Sequence, residues 1–173
     1  MDFAAIWSRV LRAVKLEPEL YREVADDDAA TGQAFVVAIG AALIGGFGTM
    51  LISSDSGVGG WLGGAIIGAP IGLVIFSAIA LGLGKLFSGQ GSFNQLLRGL
   101  GFAVAPNALG IIPILGGIVG GIWMIACAVV GVREIHKIST GAAVAVVLIP
   151  VAIVFAALFF LIVILIAALA GGA

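Results

Sequence analysis

From Gly99 to Val132 the chain runs without a single charged residue. One helix of that length would extend about 50 Å at about 1.5 Å per residue, against a hydrocarbon core about 30 Å thick. The run is too long to cross a membrane once. It is also too apolar for a soluble setting, because 62% of the chain is apolar and only 10% charged, where a soluble domain is about a quarter charged. The run must therefore fold back on itself. Pro106 and Pro113 supply breaks around a short turn at Asn107. Ahead of it, Ser92 and Gln95 form the S-x-x-Q capping box that opens a helix.

The remaining apolar runs follow the same logic. Residues 32–52, 60–84, 92–109, 111–132 and 141–165 read as five transmembrane helices, so the expected fold is an all-α, polytopic bundle occupying residues 29–173. Thr31 is available to cap the first span, and Ser139 or Thr140 the last, which Pro150 can kink. The segment SSDSG after Ile52 reads as a polar turn. Basic residues then set the orientation. With the N-terminus in the cytoplasm, Arg9, Arg12, Lys15, Arg22, Lys85, Arg98, Arg133 and Lys137 all fall inside, and the C-terminus lies outside. Merging spans three and four would move Arg133 and Lys137 across and spoil that partition.

Residues 1–28 form a separate cytoplasmic unit that holds eleven of the seventeen charged residues. Phe3, Ile6, Trp7, Val10, Leu11 and Val14 share one helical face, and Ser8, Arg9, Arg12 and Lys15 the other. Such a helix suits the headgroup region of a membrane, and its apolar stripe equally suits packing on the bundle. Pro18 opens a second short helix, PELYREVA. Asp26, Asp27 and Asp28 read as a solvated linker at the membrane border rather than a cation site, since neighbouring side chains diverge and no second ligand cluster is present.

Glycines make the second pattern. Gly60, Gly64, Gly68 and Gly72 recur at every fourth position in the second span, and Gly116/Gly120 and Gly117/Gly121 repeat the spacing in the fourth. That interval forms a flat groove for close approach of another helix. The polar residues between Ser92 and Asn107 admit two readings. Arg98 snorkels to the cytoplasmic interface, with Arg98→Lys then nearly silent, or Arg98 and Asn107 line a polar cavity.

The inventory for catalysis is thin. The spans carry no Asp, Glu or His, His136 reads as an interfacial loop residue, and the single cysteine, Cys127, has no disulfide partner within the chain. No catalytic, metal or cofactor site is expected, and no basic stripe points to nucleic acid.

Three stretches together resemble the Yip domain family of Ypt/Rab-GTPase-interacting membrane proteins: WSRVLRAVKLEPELYREV, GSFNQLLRGLGFAVAPNALGIIPILGGIVGGIW and VGVREIHKISTGAAVAVVLIP. The resemblance implies five transmembrane helices, a cytoplasmic N-terminus, and a non-enzymatic role in membrane organisation or traffic through contacts with other proteins. ELYREV is not the D-L-Y-G-P-type motif of longer members, so binding of a Rab-type GTPase is not carried over. The compact form resembles the bacterial branch, which implies the plasma membrane. The expected partners are the lipid bilayer, other membrane proteins and further copies of the chain. The expected function is a scaffold or adaptor acting through helix contacts, with a small transporter or channel near Arg98 and Asn107 as the alternative.

Overall fold

A computed structural model describes residues 2–52 and 57–171, with side chains placed through Leu165. Most of the SSDSG turn, including Asp55, lies outside the described residues. The elements are α1 (Phe3–Val14), α2 (Pro18–Asp26), α3 (Ala30–Ile52), α4 (Gly57–Leu86), α5 (Phe93–Ala103), a 3₁₀ segment (Ala105–Ile111), α6 (Leu115–His136) and α7 (Thr140–Gly171). Helix α4 contains one π-helical turn, Gly64–Gly68. No strand occurs among the described residues.

Of the five expected transmembrane helices, four, α3, α4, α6 and α7, have the length and apolar character of a membrane span. Residues 92–109 do not form a fifth. The capping box is present, with the Ser92 side chain accepting from the Gln95 N–H and the Gln95 side chain returning to the Ser92 N–H. The helix it opens has 11 residues, about 16 Å, half a hydrocarbon core. Pro106 then offers no N–H to an α ladder, and Asn107 N–H donates to Val104 O three residues back.

The α5–3₁₀ rod nevertheless runs the length of the bundle. It lies beside α3 and points the same way, with Gly101 against Ala34, Asn107 against Gly45, and Gly110 between Gly45 and Gly48. The chain then reverses through a γ-turn at Ile114, where φ is 66° and Leu115 N–H donates to Pro113 O.

Glycine makes this packing possible. A β-carbon at Gly45 would fall 2.1 Å from Asn107 O, and one at Gly48 equally close to Gly110 O. On the opposite side, a β-carbon at Gly116 would meet Leu109 O at 1.8 Å and one at Gly120 would meet Pro106 O at 2.5 Å. The 3₁₀ backbone is thus clasped between bare faces of α3 and α6. Gly117 and Gly121, one residue round the same helix, face open space.

The outer surface of the long helices is apolar. On α7, Ala143, Val146 and Val147 are buried, whereas Ile153 through Leu165 is exposed and carries Phe155, Phe159 and Phe160. A surface of this kind matches hydrocarbon rather than water.

Because the atom facing Gly120 is backbone, it cannot swing aside. Gly120→Ala is expected to destabilise the fold by about 1–3 kcal/mol. Gly121→Ala should be neutral, or stabilising by up to about 1 kcal/mol through helix propensity. Thermal unfolding of both variants in detergent checks the contrast, and equal melting temperatures would remove the clasp.

Candidate functional site

The charged end of the bundle is built by the N-terminal hairpin. Asp2 caps α1 by accepting from Ala4 N–H at 2.9 Å, and Pro18 opens α2. The apolar face of α1 is divided. Ile6 and Ala13 are buried against the protein, while Phe3, Trp7 and Leu11 form an exposed stripe at four-residue spacing. Leu20, Tyr21, Val24 and Ala25 of α2 are buried. The Tyr21 ring fills the space left by Gly131, while Ile135 fills that at Gly99, and the Tyr21 hydroxyl donates to Ala13 O at 3.4 Å. Burial pushes the Tyr21 phenol well above its ordinary value, with the neighbouring Cys127 adding to the shift. The hairpin also reaches the flank of α6, where Trp123 Nε1 donates to Val14 O at 2.8 Å and Cys127 Sγ to Ala13 O at 3.4 Å.

Arg98 reaches into the charged end of the bundle. It is buried, and each guanidinium nitrogen has its own partner: Nε donates to Thr31 Oγ1 at 2.9 Å, Nη1 to Ala25 O at 2.8 Å, and Nη2 to the Asp28 carboxylate. One side chain on α5 therefore ties down the end of α2, the linker and the start of α3. Thr31 serves this bond rather than capping α3, and Asp27 Oδ1 accepts from Ala29 N–H in the turn just before that helix.

The three aspartates are likewise more than a solvated linker. Asp26 accepts from Gln95 Nε2 at 3.1 Å, Asp27 pairs with Arg9 at 2.8 Å, and Asp28 holds Arg98. Their side chains diverge as adjacent residues must, and each carboxylate meets a different element. No group of three or more potential ligands gathers for a metal ion among the described residues.

Two further ionic clusters complete this end. Arg9 and Arg12 share Glu23, and Arg12 also holds Glu17 at 2.9 Å. Arg22 bonds Glu134 at 2.7 Å and Arg133 does so at 2.8 Å. Around Glu134 lies an open groove of about 590 Å³, bordered by Arg22, Asp26, Gln95, Arg133 and Lys137.

His136, expected in an interfacial loop, is fully buried. Its Nδ1 accepts from Gly91 N–H at 3.2 Å, which assigns the proton to Nε2, 3.2 Å from Ala80 O. The ring occupies a cradle of Gly84, Gly89 and Gly91. It acts as a plug joining α4, the 87–92 connection and α6.

The glycines singled out in the sequence divide by role. Gly116 and Gly120 form the clasp. Gly64 and Gly68 face open space, Gly60 is exposed, and Gly72 borders an apolar cavity of about 310 Å³ inside the bundle. Asn107 borders the same cavity and donates to Met124 Sδ at 3.3 Å. Arg98 and Asn107 occupy different levels of the α5–3₁₀ rod and share no partner. Gly45, Gly48, Tyr21 and Trp123 escaped the sequence reading because their roles depend on contacts remote in sequence. Only the GG pair at 45–46 hinted at close approach.

These features define a class: a helical, multi-pass membrane protein with a charged cap folded onto one end. Comparison with known families makes it particular. Residues 16–162 match the Yip1 domain, and the chain belongs to that family. The match takes in α2 but not α1, and it does not separate a bacterial branch from others. Neither curated proteins nor solved structures return a match.

Lysine cannot reproduce three divergent bonds from one planar group. Arg98→Lys is therefore expected to cost about 1–3 kcal/mol and to expose the thiol beneath the hairpin. Maleimide labelling of Cys127 at neutral pH reads this directly, and wild-type labelling rates would refute it.

The hairpin should also respond to acid. A hydrogen bond from Arg12, joined by Arg9, holds the Glu23 carboxylate below its ordinary range, and Arg9 does the same for Asp27. A depressed folded pKa means stability that is present above the ordinary carboxylate value of about 4 and lost as pH falls through the folded values. Hydrogen exchange of α1 and α2 amides, corrected for intrinsic rates, should rise below about pH 4, and Glu23→Gln should flatten that profile.

Proposed function

We propose that this chain is a non-enzymatic membrane scaffold or adaptor that engages a helix of another membrane protein, or of a second copy, through the Gly60–Gly64–Gly68 face of α4. The observation that carries this reading is the contrast among the glycines. Gly45 and Gly48 of α3 and Gly116 and Gly120 of α6 are consumed inside the bundle, while a side chain added at Gly64 or Gly68 would meet nothing within 4 Å. A bare helical face among exposed apolar side chains lets a second backbone approach closely in lipid.

In this reading the α5–3₁₀ rod makes a fifth membrane passage, its irregular backbone sheltered by α3 and α6 as lipid requires. An odd number of passages puts the hairpin, Lys85, Arg133 and Lys137 on the cytoplasmic side and the C-terminus outside, in keeping with positive-inside bias. The Phe3–Trp7–Leu11 stripe rests in the cytoplasmic interface. The alternative of a polar transport path draws no support from Arg98, whose nitrogens are all engaged by the cap.

Since these glycines touch nothing, Gly64→Leu/Gly68→Leu should fold normally yet lose its partner. Brief crosslinking in native membranes, affinity purification and quantitative mass spectrometry test this. Loss of a near-stoichiometric protein or of self-association is the expected result. Undiminished assembly of the folded double variant would sink the proposal.

A further inference from the structure

The cavity that Asn107 borders lies among α3, α4, α5, α6 and α7. Ala41, Gly72, Phe76, Leu100, Ala128 and Val147 represent its nearly wholly apolar wall. Its polar exception is the Asn107 carboxamide, whose bond to Met124 Sδ is the one side-chain hydrogen bond it makes among the described residues. A thioether is a weak acceptor. An ester or other carbonyl oxygen arriving nearby would take that donor in its place.

A space of about 310 Å³ is not expected to stay empty, since an apolar cavity of about 150 Å³ already binds benzene. Water is a poor occupant, because it needs about two to four polar partners and the wall supplies a single carboxamide. The cavity is not sealed either. Gly72 is exposed, a β-carbon there would meet nothing within 4 Å, and Ile71 and Ile75 beside it are exposed. Its wall thus continues into the bilayer-facing surface of α4, outside which lies hydrocarbon chain.

We propose that this cavity holds one acyl chain of a bilayer glycerolipid, admitted past Gly72, with the Asn107 carboxamide donating to the ester carbonyl. Asn107 lies beside Gly45, toward the Ile52 end of α3. Leu100 stands a full seven residues back along the rod, so a chain descending from Asn107 runs parallel to the helices as neighbouring lipid chains do. The inference rests on membrane placement alone and does not require the partner helix proposed above.

The test uses the full chain in phosphatidylcholine liposomes doped with a phosphatidylcholine bearing a mid-chain diazirine. After photolysis, adducts are mapped by mass spectrometry. Adducts are expected on Met124 and Phe76 as well as on outward-facing Ile75 and Ile153. Gly72→Leu and, separately, Ala42→Leu on the α3 side of the same wall should each lower the Met124 and Phe76 adducts by about tenfold, because overfilling carries a steric cost, and leave Ile75 and Ile153 unchanged. Asn107→Leu should lower cavity labelling by the phospholipid about threefold, the worth of one hydrogen bond, but not labelling by a diazirine alkane.

Absent cavity adducts, or adducts indifferent to both filling substitutions, would overturn the site. Equal losses for phospholipid and alkane in Asn107→Leu would overturn the role of the ester bond. Elution volume and Cys127 protection confirm each variant's fold, and the two filling substitutions lie on different helices, so misfolding of one leaves the other decisive.

Discussion

The clasp around the 3₁₀ segment is the constraint on which the rest of the structure depends. A 3₁₀ turn inside a membrane protein presents backbone oxygens that lipid cannot satisfy. Here the carbonyls of Pro106, Asn107, Leu109 and Gly110 turn toward Gly120, Gly45, Gly116 and Gly48, where no side chain keeps the neighbouring helix at a distance. Weak Cα–H···O contacts and dense packing can then operate at such approach. Through that clasp α3 and α6 are set on either side of the rod, and the apolar cavity is left between them and α4 and α7.

At the other end the organising element is Arg98. Removing a guanidinium from water is costly unless its donors are met, and all three nitrogens are met by groups from α2, the aspartate linker and α3. Tyr21 of the same hairpin fills the glycine gap at Gly131 of α6. The cap is therefore joined to the bundle by both polar and apolar contacts. His136 performs a similar service where α4 meets α6, with glycine again making room for the ring.

Much of the helical plan was legible in the residues. The capping box at Ser92, the apolar runs and the amphipathic pattern of α1 are local features, and the structure places helices there. The third span misled because composition and length cannot distinguish a continuous helix from a helix followed by a 3₁₀ turn. Pro106 marked the break but not the conformation beyond it. At the candidate site, glycine spacing announced close packing without saying which face was occupied. Gly116 and Gly117 are equivalent in pattern, yet only the first meets a neighbour.

By itself the sequence determined that this protein is an all-helical membrane bundle with its charge gathered at one end, because hydropathy and helical period are properties of consecutive residues. Tertiary structure alone decided what those charges and glycines do. Arg98 became an anchor for the cap, the aspartates became three separate ties, and the glycine stripes divided into a clasp, a cavity mouth and an open face. Each outcome depends on which distant backbone arrives opposite a given residue, and a short local pattern does not carry that information.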